Sequence, residues 1–186
     1  LVMWAQISEM YAAGWDVIVH GVLPHTHASF STLALLQAEI KRNQDYVRER
    51  WPRSADHYTY IGGAVSQYSY DALTNLGFKT ARLVNTAAEP GLSAGMSAQA
   101  WLKVQSRAVL DATVATRLTD IDDLVTNKSV MTELHWHSVQ AVSPEVAVEN
   151  TSRVNTETIL AKIRDLRAAG KLDVLTRSMM YKRHAI

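Results

Sequence analysis

The sequence predicts an α/β fold with parallel strands, because one local pattern occurs three times along the chain. Each occurrence is an amphipathic helix, then a Gly that ends the helix, then a short apolar segment typical of a buried strand. A Gly just past a helix end tolerates the left-handed conformation that closes the helix. A helix followed directly by an apolar strand is the unit from which parallel α/β sheets are built.

The three units lie at the beginning, in the middle and at the end of the chain. The predicted helices over 4–13, 66–76 and 156–169 end at Gly14, Gly77 and Gly170, and predicted strands over 15–19, 78–84 and 172–176 follow them. The predicted buried faces are Trp4, Ile7, Met10 and Tyr11 in the first helix and Ile159, Leu160, Ile163 and Leu166 in the last. Apolar residues at this spacing share one side of a helix.

Other elements connect these units. The remaining predictions are a helix over 31–50 with Leu33, Leu36, Ile40 and Val47 inward, a strand over 57–60, a turn at Gly62 and Gly63, a helix over 119–126 and a strand over 130–139. Residues 85–99 and 143–155 are predicted to be loops, and neither is polar enough or long enough to be a linker. We therefore predict a single domain over residues 1–186.

Composition excludes several classes of protein. The chain of 186 residues is 47% hydrophobic, which is enough for a packed core. Its 19 basic and 18 acidic residues give a net charge of +1, which argues against nucleic acid or an anionic membrane as a partner. No apolar run approaches the ~20 residues of a membrane span. The chain has no Cys, so only His, Asp and Glu remain as metal ligands.

Polar side chains concentrate where the predicted strands end. In parallel α/β folds, ligands bind at the carboxyl ends of the strands. Here the residues at such ends are His20, followed by His25 and His27, then Arg82, then His135 and His137. Five of the seven histidines thus belong to two strand ends, which is more than a structural role requires.

The first histidine group is a candidate metal site. His20, His25 and His27 lie within eight positions of one another, beginning at the end of a predicted buried strand. Neutral imidazoles in one loop could converge on a single cation, and Pro24 would restrict the path of that loop. The alternative is that these histidines are ordinary polar residues of the surface.

The second histidine group lies on a predicted strand whose alternation places Glu133, His135 and His137 on one face. Burying a carboxylate and two imidazoles is costly unless they have partners or a function. Either Glu133 holds His135 in an ordinary polar layer, or this face supplies a general acid or a second pair of metal ligands. The isolated His57 and His184 are predicted to be surface or hydrogen-bonded residues.

The Gly62–Gly63 turn follows the predicted strand over 57–60. Glycine lets the backbone come close to a ligand, and a backbone N–H freed in this way could polarise a carbonyl oxygen. The alternative is a plain turn without a ligand.

Taken in order, five segments resemble the NodB-type polysaccharide deacetylases, a carbohydrate esterase 4-like family. They are residues 4–20, 58–64, 77–82, 134–139 and 169–176. Their order and spacing carry the resemblance more than any one motif does. The resemblance implies a distorted or incomplete (β/α) barrel, a divalent metal, usually zinc, and hydrolysis of an acetamide on a carbohydrate substrate.

The resemblance also implies a set of site residues. The family uses two His ligands for the metal, a backbone N–H for the oxyanion, a His that protonates the departing amine and a residue that orients polar groups. Carried over to this sequence, these are His20 with His25 or His27 for the metal, Gly62 for the N–H, His137 (less readily His135) for the acid and Arg82 for the orienting residue.

One family feature is missing from the sequence. The family begins with a strand that bears an Asp-Asp pair, and no such pair precedes His20. Either a separate or upstream segment supplies the pair, or the site has lost its chemistry. Because an open sheet edge is usually paired, we expect association with such a segment or with a second copy of the chain. The resemblance favours an extracellular or cell-envelope location.

Three functions are therefore considered. The first is a metal-dependent hydrolase that removes N-acetyl groups from a polysaccharide or amino sugar. The second is a non-catalytic carbohydrate-binding or structural domain that keeps a degenerate deacetylase fold. The third is another barrel metallohydrolase, of the kind that uses a His-x-His pair at a strand end, which here would be His135 and His137.

Overall fold

The structure is a computed structural model that describes residues 3–21, 26–63, 65–84, 101–126, 133–135, 138–140 and 150–184. The helices are α1 (Trp4–Ala12), α2 (Leu33–Arg50), α3 (Ser69–Asn75), α4 (Val114–Thr126), α5 (Arg153–Ala168) and α6 (Arg177–His184). The strands are β1 (His57–Thr59), β2 (Thr80–Val84), β3 (Val104–Ala108), β4 (Leu134–His135), β5 (Ser138–Gln140) and β6 (Asn150–Ser152). This mixture confirms the α/β class, whereas the barrel and the single domain stay predictions.

The chain forms two compact units, which are described separately. In the first unit, made by described residues up to Leu83 with 101–104 and 175–184, β1 pairs with β2 in parallel. In the second unit, made by Val84 and by described residues between 105 and 174, the paired residues are Arg107 and Ala108 of β3 with β4, and β5 with β6, all in parallel. Parallel pairing is what the helix–Gly–strand pattern predicts, and it is confirmed for these strands.

Helix α2 supplies much of the core of the first unit. It begins after Thr32, whose hydroxyl accepts a hydrogen bond from the Leu35 N–H at 3.3 Å, and it ends at Arg50, just before Trp51 and Pro52. The buried residues of its inner face include Leu36, Ile40 and Val47, as the sequence predicts. They pack in one cluster with Tyr58 of β1, Leu73 of α3, and Tyr60 and Phe78, which lie next to the strands.

The second unit has its own smaller core, formed by Val109, Val114, Ile121 and Ile159. Helix α5 begins after Ser152, whose hydroxyl accepts a hydrogen bond from the Asn155 N–H at 3.3 Å. The predicted helices over 119–126 and 156–169 are therefore confirmed and begin earlier than expected, at Val114 and Arg153. The predicted loop over 143–155 is wrong from Asn150 onward, where β6 begins.

Some predicted helix faces are wrong. In α1, Ile7 and Tyr11 pack against the core, whereas Trp4 is 60% exposed, although its ring stacks on Trp51, and Met10 is 43% exposed. In α5, Leu160 is 49% exposed, although Ile159 beside it is fully buried. Each helix lies on the surface of its unit and buries a stripe narrower than its apolar pattern suggests.

Two predicted strands are absent. Of residues 15–19 only Val19 joins a sheet, through a single parallel bridge to Tyr58, because the Val17 N–H donates instead to the Ser54 hydroxyl at 3.0 Å. Residues 172–176 are not a strand and lead into α6, which the sequence did not predict. The predicted closures at Gly14, Gly77 and Gly170 are confirmed, with φ angles of 101°, 76° and 67°.

The predicted loop over 85–99 lies outside the described residues, and so do parts of the predicted strand over 130–139. The pieces of that strand that the structure describes are β4 and β5. Within the described ranges, no helix has the length and apolar composition that a membrane crossing requires.

Candidate active site

Three neighbouring segments of the first unit run in parallel and end at one edge of the sheet. Val19 lies beside Tyr58, with its N–H donating to the His57 carbonyl at 3.0 Å and its carbonyl accepting from Thr59 at 2.8 Å. On the other side of β1, β2 is paired so that Thr59 lies opposite Arg82. His20 and the turn that follows Tyr60 therefore lie at the carboxyl ends of adjacent parallel segments, where ligands bind in such sheets.

His20 is exposed and has a fixed orientation at this edge. Its ring Nδ1 lies 2.8 Å from the carbonyl oxygen of Thr59. Because a carbonyl oxygen only accepts hydrogen bonds, Nδ1 carries the proton, and the lone pair of neutral His20 is on Nε2. A backbone carbonyl that holds the second nitrogen in this way is one of the usual partners of a metal-binding His.

Gly21 brings the backbone after His20 close to the turn after β1. It has a φ of 109°, a conformation that suits glycine. A Cβ atom at this position would lie 2.5 Å from Cδ1 of Ile61 and 3.7 Å from the hydroxyl oxygen of Tyr58. The backbone at Gly21 thus lies against the Ile61 side chain of the turn that contains Gly62, and a larger residue at position 21 would require Ile61 to move.

Gly62 and Arg82, two further predicted site residues, lie near this edge. Gly62 is exposed, in the middle of the short 3₁₀ turn Ile61–Gly63, with a φ of 59°. Arg82 is half-buried on β2, and its carbonyl accepts a hydrogen bond from the N–H of Tyr60 at 3.0 Å. The turn that carries Gly62 is thereby fixed to β2.

His27, by contrast, is a core residue. It is 1% exposed and its ring packs against those of Tyr58 and Tyr60, at centroid distances of 5.3 and 5.1 Å. Its Nδ1 lies 2.9 Å from the hydroxyl of Ser69, and its Nε2 lies 2.9 Å from the hydroxyl of Tyr58. Burial lowers the pKa of His27 to about 4, so the ring is neutral at physiological pH.

These contacts show whether His20 and His27 each have a ring nitrogen free to bind a divalent metal. His20 fits, because its Nε2 lone pair is on an exposed, oriented ring. In the arrangement described, His27 does not fit, because both of its nitrogens are already hydrogen-bonded in the core. No group of three His, Asp or Glu side chains able to hold a metal occurs among the described residues. His25 lies outside them.

The predicted acid is not among the residues that the structure describes. His137 lies outside the described ranges, and only the backbone of His135 is described, where it pairs with Ala108 in the second unit. The proposed roles of His25, His135 and His137 therefore stay predictions.

A second polar cluster lies at the amino ends of the same segments, where Asp16, His57 and Thr80 are found. The ring Nδ1 of His57 lies 2.9 Å from the Thr80 hydroxyl, and Arg177 of α6 reaches the same hydroxyl at 3.5 Å. His57 is 4% exposed, which confirms the prediction that it is a hydrogen-bonded residue. Polar groups at this end of parallel strands serve stability rather than ligand binding.

Sequence reasoning missed the residues that orient the histidines. Thr59 acts through its backbone carbonyl, for which no side-chain pattern exists. Tyr58 could have been found from the sequence, because strand alternation predicts that Tyr58 and Tyr60 share one face. In the structure both rings pack against the ring of His27.

The fold and the edge site define a parallel α/β protein with an oriented His at the carboxyl ends of its strands. Residues 2–81, which contain His20 and Gly62, match the family model described as polysaccharide deacetylase. The match covers 80 of the 186 residues and confirms the family resemblance predicted from the sequence.

Among solved structures, the chain is similar to the crystal structure of a Mycobacterium smegmatis protein assigned as a polysaccharide deacetylase. The TM-score is 0.60 and the sequence identity is 10%, over 97% of this chain and 66% of that one. At this identity the similarity shows the fold alone. This chain spans 66% of the length of that relative. The comparison with curated proteins finds no match.

Proposed function

We propose that this chain is, or is part of, a metal-dependent hydrolase that removes N-acetyl groups from a polysaccharide or amino sugar. The family of residues 2–81 supports a hydrolase of this general kind. The observation that carries the proposal is the hydrogen bond from His20 Nδ1 to the Thr59 carbonyl, which leaves Nε2 as the coordinating atom at the ligand-binding edge of the sheet.

The metal would be held by His20 and by a second His of the same loop. We favour His25 for the second position, because using His27 would break one of its two buried hydrogen bonds. When bound, a divalent metal, zinc in our proposal, supplies a Lewis acid that polarises the acetamide carbonyl and lowers the pKa of a water molecule.

The other site residues would act on the substrate itself. The backbone N–H of Gly62 would donate a hydrogen bond to the carbonyl oxygen as negative charge develops on it. His137 would donate a proton to the nitrogen of the departing amino sugar, so that water and the amide yield acetate and an amine. Arg82 would orient polar groups of the carbohydrate. An extracellular or cell-envelope location and association with an upstream segment or a second copy stay predictions.

The experiment measures zinc content and acetate release on the same samples. The purified protein that contains this chain, together with the segment that would supply the Asp-Asp pair, is expected to hold about one zinc and to release acetate from an N-acetylated amino-sugar oligomer. His20→Ala should remove both properties. His184→Ala, in the last turn of α6, is the matched control and should keep both. A wild-type protein that contains this segment but holds no zinc and releases no acetate would contradict the proposal and would favour the non-catalytic carbohydrate-binding domain.

A further inference from the structure

The loop that begins at His20 is attached at both of its ends to consecutive residues of β1. At its start, His20 donates to the carbonyl of Thr59 at 2.8 Å. At its end, Nε2 of His27 is hydrogen-bonded to the hydroxyl of Tyr58 at 2.9 Å. We propose that His27 is a positioning residue: its imidazole joins Tyr58 to Ser69 and thereby holds the loop in place for metal binding at His20. This inference rests on the proposed function.

The first support is that His27 connects three separate elements. The ring belongs to the short 3₁₀ turn His27–Ser29, its Nε2 contacts the hydroxyl of Tyr58 in β1, and its Nδ1 contacts the hydroxyl of Ser69, the first residue of α3. Ser69 is itself held by the N–H of Ser66, which donates to its hydroxyl at 2.7 Å. Each of these groups is buried or partly buried, so leaving either partner of His27 without a hydrogen bond would be costly.

The second support is that Tyr58 lies beneath the backbone next to His20. Its hydroxyl oxygen would be 3.7 Å from a Cβ atom on Gly21, and Ile61 closes the same contact from the turn after β1. A displacement of the Tyr58 hydroxyl therefore reaches both ends of the loop. Loss of the His27 contact should loosen His20 without removing any ligand.

The third support is chemical. A neutral imidazole has one donor and one acceptor, and the hydroxyls of Ser69 and Tyr58 use both. Coordination through either nitrogen would displace one hydroxyl and would place a cation within a core lined by the rings of Tyr58 and Tyr60. A role in which His27 holds the loop and does not bind the metal explains all of these contacts.

The test compares zinc binding of four forms of the full chain, by competition with a chromophoric chelator. His27→Gln and Tyr58→Phe should keep the zinc stoichiometry of the wild type and weaken its affinity about 10- to 100-fold, which is typical for loss of an outer-sphere partner. Tyr60→Phe is the matched control, because it removes a buried hydroxyl from the same face of β1 whose partner is the distant carbonyl of Leu102. Its affinity should stay within about twofold of the wild type.

Two results would overturn the inference while leaving the proposed function intact. One is a loss of zinc stoichiometry in His27→Gln equal to that in His20→Ala. The other is wild-type affinity in Tyr58→Phe. A wild type that binds no zinc would instead overturn the proposed function, and this inference with it.

A second measurement does not depend on the folding of any variant. The ¹⁵N chemical shifts of the imidazoles are recorded on the wild-type chain without and with zinc. The shift of His20 Nε2 should move on coordination, while both nitrogens of His27 keep the shifts of a neutral, hydrogen-bonded ring. Movement of a His27 nitrogen to a coordinated value would make His27 a ligand and would contradict the inference.

Discussion

The carboxylate of Asp16 accepts two hydrogen bonds from Ser178, which lies 162 positions later in the chain. Its Oδ2 accepts the Ser178 backbone N–H at 2.7 Å, and its Oδ1 accepts the Ser178 hydroxyl at 2.9 Å. Ser178 is in the first turn of α6, where backbone N–H groups have no partner within the helix and negative charge is favourable. Asp16 therefore caps α6 from a distant part of the sequence and attaches it to the first unit.

The cap predicts a large effect of Asp16→Asn on stability. Burial raises the pKa of Asp16, but hydrogen bonds from Ser178 and Arg53 outweigh this effect and hold the pKa below its usual value, so the group is a carboxylate. An amide cannot accept all of these hydrogen bonds, and we expect a loss of about 2–3 kcal/mol in the free energy of unfolding, measured by urea denaturation.

The matched control for this prediction is Asp165→Asn. Asp165 pairs only with Arg164 among the contacts described, and both side chains are mostly exposed. Its substitution should change the free energy of unfolding by less than about 0.5 kcal/mol. Equal stabilities of the two variants would show that Asp16 does not cap α6.

The lowered pKa of buried His57 predicts how the stability of the protein changes with pH. Burial and the neighbouring charge of Arg177 lower the pKa of His57 to about 4, against 6.5 for an unperturbed His. Between pH 6.5 and pH 4 the unfolded chain therefore binds more protons at this position than the folded chain does. Stability should fall as the pH is lowered through this window, by about 3 kcal/mol at pH 4 from this group.

The measurement is a series of urea denaturation curves between pH 7 and pH 4 for the wild type and for His57→Gln. Glutamine can still hydrogen-bond to Thr80 but does not titrate. The variant should lose less stability on acidification, and the difference should grow as the pH falls. Parallel curves for the two proteins would contradict the prediction.

The close contact between Gly21 and Ile61 predicts that an alanine at position 21 destabilises the protein. Gly21→Ala places a side chain at a φ of 109° and brings its Cβ to 2.5 Å from Ile61. The backbone strain alone costs about 1–3 kcal/mol. Gly14→Ala is the matched control, because Gly14 has a φ of 101° but open space around its Cβ position. Gly21→Ala should lower the free energy of unfolding by about 1 kcal/mol more than Gly14→Ala does, which is the cost of overpacking. Equal losses in urea denaturation would show that the Ile61 side chain moves aside without cost.

The parts of the fold that could be predicted are those with local causes. Helix α2 has an apolar stripe at helical spacing, a Thr that caps its beginning and a Pro after its end, and all three signals are local. The closures at Gly77 and Gly170 are likewise set by one residue. The α/β class followed from the repetition of such signals.

The parts that could not be predicted depend on residues far away in the sequence. Residues 15–18 form an apolar segment typical of a strand, yet Val17 and Asp16 bond to side chains of Ser54 and Ser178 instead of to a neighbouring strand. Helix α6 has no clear apolar face and is held by Asp16. Such contacts leave no periodic signal in either segment.

The same limit applies to the candidate site. The position of His20 after an apolar segment is a local feature, and the structure places His20 just past Val19. The burial of His27 depends on Tyr58 and Ser69, which lie 31 and 42 positions away. Spacing alone could not separate an exposed ring from a buried one seven positions later, so the three histidines of the loop looked equivalent.

The proposed roles of His20 and His137 predict that two His→Ala variants differ in their zinc content. His20→Ala should lose zinc, because it removes the oriented Nε2 donor. His137→Ala should keep zinc and should lower the rate of acetate release about 10²- to 10⁴-fold, the usual contribution of a general acid. Zinc is measured by elemental analysis after gel filtration, and acetate by a coupled assay. Loss of a ligand lowers the zinc content, whereas loss of the acid does not, so the two variants can be distinguished. Full zinc and full activity in both variants would contradict both assignments.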